Sequence, residues 1–294
     1  MADLVVEPIL AADEVRAEAA GARPRRFKLT FWLAAGWMAA ITFVAVFANL
    51  LPLPPPNKPL VGPPYSLPSW QYPLGTDELG RSMLSRVVFG ARVSLEVGVA
   101  AIVIGLLVGG FFGLVAGYYR GKLDAVISAV ANVMLAFPAL IFAAALVAFL
   151  GPSLEVVILV IGVLSIAPLT RLVRATTLTH AGREFVLAAR MMGYSSRRIL
   201  FREVMPNVIP SAISFALVGM ALAIVLEGAL SFLGLSIRPP QPSWGNMIAE
   251  ATQYLTQDAW LVICPSLFLF FTVLALNLGG DTFRAVFDVK ESAL

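Results

Sequence analysis

The residues able to do chemistry are few and scattered. His180 is the single histidine, so a zinc pair on one helix face or a histidine proton relay has no second member. Gly121-Lys122 is followed by Leu123 and lacks the upstream glycine of a phosphate loop, so nucleotide is not held by that device. Asp124 falls at the edge of one apolar stretch and Asp281 just beyond another, which leaves no aspartyl dyad inside a span. A serine nucleophile would need His180 beside it, and His180 belongs to a polar connecting segment. Cys264 is the single cysteine and lies in an apolar run, so it reads as a small buried hydrophobe. No metal, no cofactor and no catalytic role is expected. Two features remain: Glu227 inside an apolar stretch, and an arginine-studded segment from Arg183 to Pro206 between two apolar stretches.

The elements that carry these residues belong to a membrane. Of 294 residues, 59% are hydrophobic and 13% charged, with a mean hydropathy of +0.85. A soluble domain carries about 25% charge, so this chain lacks the polar surface to cover a globule in water. A net charge of +3 is no case for nucleic acid as a partner. The basic residues have a better use as topology signals in contact with membrane lipid.

Six stretches approach the roughly 20 apolar residues that cross a bilayer. They run Thr30–Leu51, Val93–Tyr118, Ala125–Leu150, Leu154–Leu172, Val208–Leu233 and Ala259–Leu278. The first follows Arg23, Arg25, Arg26 and Lys28 as a signal peptide would, but its run is too long for one and reads as a true span. With the N-terminus inside, 16 of the 21 Lys and Arg fall on inner segments and 5 on outer ones. Both termini are therefore expected in the cytoplasm. The expected division is an inner tail at 1–28, a first span at 29–51, an outer loop at 52–92 and a core at 93–294 with an inner loop at 174–207.

In the inner loop, Phe185, Ala188, Ala189 and Met192 fall at helical spacing and predict an apolar stripe flanked by Arg183 and Arg190. Gly193 suits the left-handed residue that ends a helix. Ser195 or Ser196 can cap a second short helix through Met205, which Pro206 is expected to stop. The product is either a compact docking knob or an interfacial helix with arginines on lipid phosphates. Pro138, in Leu135-Ala136-Phe137-Pro138, is expected to kink the third span, either for packing or as a gate hinge. An acid at a bilayer centre costs about 2.5–3.5 kcal/mol on insertion scales, so Glu227 needs a polar partner, a wet path or an interface. Glu96 and Glu155 lie near outer span ends, where snorkelling explains them.

These segments resemble a known family. Glu184-Phe185-Val186-Leu187-Ala188-Ala189-Arg190-Met191-Met192-Gly193 and the later Pro206-Asn207 are similar to the Glu-Ala-Ala loop of bacterial ABC importer permeases. The name-giving glutamate falls at Leu187 here, with Glu184 and Glu203 nearby. Pro73-Leu74-Gly75-Thr76-Asp77-Glu78-Leu79-Gly80-Arg81, with Ser85-Arg86 and Gly90-Ala91-Arg92, resembles the dipeptide, oligopeptide and nickel subfamily. So do Leu226-Glu227-Gly228-Ala229-Leu230-Ser231-Phe232-Leu233-Gly234, Pro242-Ser243-Trp244-Gly245-Asn246 and Asn277-Leu278-Gly279-Gly280-Asp281. Asn132 stands where that subfamily usually has an acid.

The resemblance implies an all-α transmembrane chain with the six-helix type I ABC importer permease fold, multi-pass in a bacterial inner membrane. It implies one permease subunit of an ATP-driven importer for short peptides or a related small solute. A second homologous permease, two cytoplasmic ATP-binding domains and an extracytoplasmic substrate-binding protein would be its partners. ATPase coupling would fall to Glu184, Phe185, Ala188, Ala189, Arg190, Gly193, Arg197 and Arg198. Asn132, Pro138 and Glu227 would serve the pathway or its gate, and Thr76, Asp77, Arg81, Trp244 and Asn246 would touch the binding protein. An ATP-independent secondary transporter or channel is the rival class.

Overall fold

The structure is a computed structural model that describes residues 29–292, with side chains described as far as 284. The expected inner tail at 1–28 lies outside the described residues. Helices α1 (Leu29–Val46), α2 (Met83–Tyr119), α3 (Gly121–Ala136), α4 (Ala139–Leu150) and α5 (Leu154–Ala181) come first. Then follow α6 (Glu184–Met191), a three-residue α7 (Ser196–Arg198), a π-helical turn (Ile199–Val204) and α8 (Met205–Phe232). The chain closes with α9 (Trp244–Ala251), a 3-10 turn (Thr252–Tyr254) and α10 (Trp260–Ser292). Five of these helices are long and apolar enough to cross a membrane, and there are six crossings if α3 and α4 count as one.

The scaffold centres on α2 against α5. Gly105, Gly109, Gly113 and Gly117 recur every fourth residue on one stripe of α2. A β-carbon on Gly113 would stand 2.7 Å from the Thr170 carbonyl oxygen, and one on Gly117 2.7 Å from that of Arg174. Gly109 faces the Ile166 carbonyl in the same way. Small residues let two backbones meet where lipid supplies no hydrophobic drive between helices. The α2 positions and the α5 positions advance together by four, so the two helices run parallel. The sequence reading did not use this stripe.

Polar bolts set in apolar contact tie α1 and α8 to α10, and α2 to the end of α1. Trp37 on α1 donates its indole N–H to Thr272 Oγ1 on α10 at 3.0 Å. Ser214 Oγ on α8 donates to the Gly280 carbonyl on α10 at 2.6 Å. Arg92 on α2 donates to the carbonyls of Ala45 and Val46, satisfying groups that the end of α1 leaves free. α2 begins at Met83, well before the apolar run from Val93, because Ser82 caps it by accepting from the Ser85 amide.

Pro138 does more than kink its span. Phe137 and Pro138 both adopt extended backbone, as expected for a residue before proline and for a proline that cannot continue the ladder. α3 and α4 meet at 85°, so this stretch is a broken pair and not one straight helix.

Candidate functional site

The knob at 183–206 is built on the end of the bundle. Val186 and Ala189 of α6 are buried with Leu114, Tyr118, Val173, Ile199, Leu200 and Val204. The expected stripe is thereby corrected. Of its members only Ala189 faces inward, while Phe185, Ala188 and Met192 are exposed. The helix turns its Val186–Ala189 edge to the bundle because that edge meets the apolar ends of α2 and α5. Glu184 in the first turn and Arg190 in the last suit the helix dipole.

Gly193 behaves as its type predicts. Its φ is 78°, the Gly193 amide donates to Arg190 O and the Tyr194 amide to Ala189 O. Those two bonds are the paired closure of a helix C-terminus. Beyond the turn, the Arg198 guanidinium stacks on Tyr194, 3.9 Å from the ring centroid. Arg190 lies 5.7 Å from the Tyr118 ring on α2.

The second short helix does not stop at Pro206. It continues through a π turn into α8, with the Met205 amide donating to Leu200 O. In an α turn the Arg202 carbonyl would meet the Pro206 ring, and the wider π turn relieves that clash. The second arm of the knob is therefore continuous with the membrane helix, one run of 37 residues from Ser196 to Phe232. At its other side Arg174 on α5 grips Asp124 on α3 through Nη2 to Oδ2 at 2.7 Å and a second bond from Nε to Oδ1.

The opposite end carries a buried ionic knot. Asp77 Oδ1 accepts the Leu79 and Arg81 amides, and its Oδ2 accepts Arg81 Nε at 2.5 Å. Arg81 Nη2 also donates to Glu78 at 2.7 Å, and Arg86 Nη2 to Glu250 on α9 at 2.9 Å. Burial lifts the Glu250 carboxyl above the ordinary range, and the Arg86 and Arg81 guanidiniums pull it partly back. The residues expected to touch the binding protein lie in and beside this knot. Thr76, Asp77, Arg81, Trp244 and Asn246 are all buried and hydrogen-bonded, and they set the shape of the loop. Thr76 hydrogen-bonds Ser66 and Pro63, Trp244 donates to Val87 O at 3.1 Å, and Asn246 donates to Ile237 O at 2.6 Å. Leu60, Leu67, Trp70 and Leu79 are among the apolar side chains that the loop exposes.

Glu227, expected to serve the pathway or its gate, sits in a closed cluster of serine hydroxyls. It is 0% exposed, and its Oε1 accepts hydroxyls from Ser231, Ser236 and Ser243 at 2.8–2.9 Å. Ser243 also caps α9 by accepting the Asn246 amide. The acid thus closes a knot between α8 and α9 and lines no open path. Asn132 and Pro138, by contrast, are both exposed on the α3–α4 face.

With this geometry in place, comparison with known proteins is decisive. Residues 101–291 match the family model described as binding-protein-dependent transport system inner membrane component. The chain belongs to that family. This permease is 38% identical over 260 residues to the di/tripeptide transport system permease protein DppC of Pseudomonas aeruginosa, covering 86% of each chain. It is 39% identical over 223 residues to the glutathione transport system permease protein GsiD of Pectobacterium atrosepticum, covering 76% of this chain and 74% of that one. Its fold resembles that of the inward-facing MetNI methionine ABC transporter, with a TM-score of 0.59 at 19% identity over 69% of this chain and 97% of that one. The permease is an inner-membrane transport component and not an enzyme. Its family implies an ATPase, a substrate-binding protein and a paired permease as partners.

Proposed function

We propose that this permease forms half of the translocation pathway of an ATP-driven importer of short peptides, with residues 183–206 as the docking site for a cytoplasmic ATPase. The substrate class follows from relatives named for di/tripeptides and for glutathione, both short peptides. The orientation rests on the Lys and Arg excess, which favours both termini and the knob on the cytoplasmic side.

One observation carries the docking. α6 spends its Val186–Ala189 edge on the bundle and leaves Phe185, Leu187, Met191 and Met192 exposed at a helix end. Because the knob's second arm runs on into α8, and α6 packs on that arm through Val186 and Ala189 against Ile199, Leu200 and Val204, a push on α6 is delivered to a membrane helix. ATP binding in a pair of ATPases would draw the two knobs together and rotate α8 and α5. The broken α3–α4 pair, with Asn132 and Pro138 on its exposed face, is the segment proposed to line the pathway and meet the second permease. Phe185, Ala188, Arg190, Arg197 and Arg198 would form the docked surface, and Glu184 its acidic edge.

The test is Gly193→Val in the reconstituted transporter. A β-branched residue is strained at this φ although a β-carbon there meets open space. Substrate-stimulated ATPase activity is expected to fall with expression unchanged. Wild-type coupling would refute the docking role.

A further inference from the structure

The knob exposes a ridge that the bundle does not use. Leu187 and Met191 lie four residues apart on one face of α6, and Met192 follows. They are 51%, 90% and 63% exposed. Around this ridge Arg190, Arg197, Arg198 and Arg202 are exposed, against Glu184 exposed and Glu203 half-buried. Resting on the docking role above, we infer that the ATPase surface receiving this knob is an apolar recess rimmed with carboxylates, filled by Leu187, Met191 and Met192.

Three observations favour that partner. The ridge lies opposite Val186 and Ala189, the edge held against the ends of α2 and α5, so it points away from the bundle. Arg198 stacks on the Tyr194 ring and Arg190 lies near the Tyr118 ring, so part of the positive border is pre-organised beside the ridge. Methionine is unbranched and adaptable, which suits a recess that changes shape through a nucleotide cycle. Burial of one such side chain is worth roughly tenfold or more in affinity. The guanidinium border acts chiefly on encounter rate and fades with salt.

The experiment uses the complete transporter in nanodiscs, with ATPase subunits dissociated and rebound at low and high salt. Met191→Asp and Leu187→Glu are expected to weaken rebinding at least tenfold at both salt levels. Arg197→Glu with Arg198→Glu is expected to slow association at low salt, with the difference vanishing at high salt. The substituted positions are exposed, and an unchanged Tm for each variant verifies the fold. Wild-type affinity for Met191→Asp and Leu187→Glu would overturn the inference. So would a fluorophore on Met191→Cys that brominated lipid quenches and ATPase leaves unchanged. If Gly193→Val is uncoupled while the ridge variants rebind normally, only this inference falls. If Gly193→Val is coupled and Ala188→Cys forms no cross-link to the ATPase, the docking role falls with it.

Discussion

Gly113 on α2 and Thr170 on α5 meet backbone to backbone: a β-carbon at Gly113 would stand 2.7 Å from the Thr170 carbonyl oxygen. Neither partner can retreat, since Thr170 is 3% exposed and its hydroxyl is committed to Ile166 O at 2.8 Å. Gly113→Leu must therefore separate the two helices. Overpacking of this kind costs about 1–3 kcal/mol, and more where backbone is the obstacle. We expect a clear fall in Tm in detergent, whereas Gly110→Leu, where a β-carbon meets open space, leaves it near wild type. Equal losses at both positions would show that the stripe is not the contact.

Glu227 joins two elements through one oxygen. Removing it in Glu227→Ala strands hydroxyls of Ser231, Ser236 and Ser243 that are themselves buried. Each stranded group costs about 1–3 kcal/mol, so this substitution is expected to be among the most damaging in the chain. Glu227→Gln keeps an acceptor oxygen at the same place and is expected to retain most of the Tm and most of the uptake. Strong loss of uptake in Glu227→Gln with full stability would return the carboxylate to a transport role.

Which of these arrangements were legible beforehand depended on how local their cause was. Gly193 was readable because a left-handed residue after an apolar turn needs nothing beyond its neighbours. The spans were readable because burial in lipid demands an unbroken apolar run. The burial of Trp244 and Asn246 was not legible because its cause is distant: Trp244 bonds to Val87 O, 157 residues earlier. Arg86 lay in a stretch taken for a surface loop, yet it is 2% exposed and paired with Glu250. The continuity through Pro206 was missed because proline is a local stop signal, and only the π turn overrides it. The glycine stripe of α2 stood in the sequence with a readable period, and its partner on α5 did not.

Glu250 supplies a pH dependence whose sign can be worked out. Its folded carboxyl titrates above the ordinary value of 4.5, first because burial disfavours the charge. The native state then holds more protons than the unfolded chain between the two values, so this contribution is present below the unfolded value and lost as pH rises through the folded one. Arg86, Arg81, Asp77 and Glu78 all face it and stay in place in Glu250→Gln. The Tm of wild type relative to Glu250→Gln should therefore rise as pH falls toward about 4.5. A difference that grows instead on going to neutral pH would mean that the guanidiniums outweigh burial.

Pro206 sets the register between knob and membrane helix. Pro206→Ala restores an N–H and removes the ring that opposes the Arg202 carbonyl, so the π turn at Ile199–Val204 is free to close into α geometry. Closing it changes the register by one residue, a rotation of about 100° and a shift of about 1.5 Å between α6 and α8. Proline inside a helix costs about 3 kcal/mol, part of which the π turn absorbs, so Tm should hold or rise by about 1 kcal/mol equivalent. Uptake per ATP should fall in the same variant, because a knob turned by that angle no longer presents Leu187 and Met191 to its partner. Cross-linking from Ala188→Cys reads the rotation directly. A variant that is both stable and fully coupled, with an unchanged cross-link, would mean that the π turn is held by the packing of Ile199, Leu200 and Val204 and not by the proline.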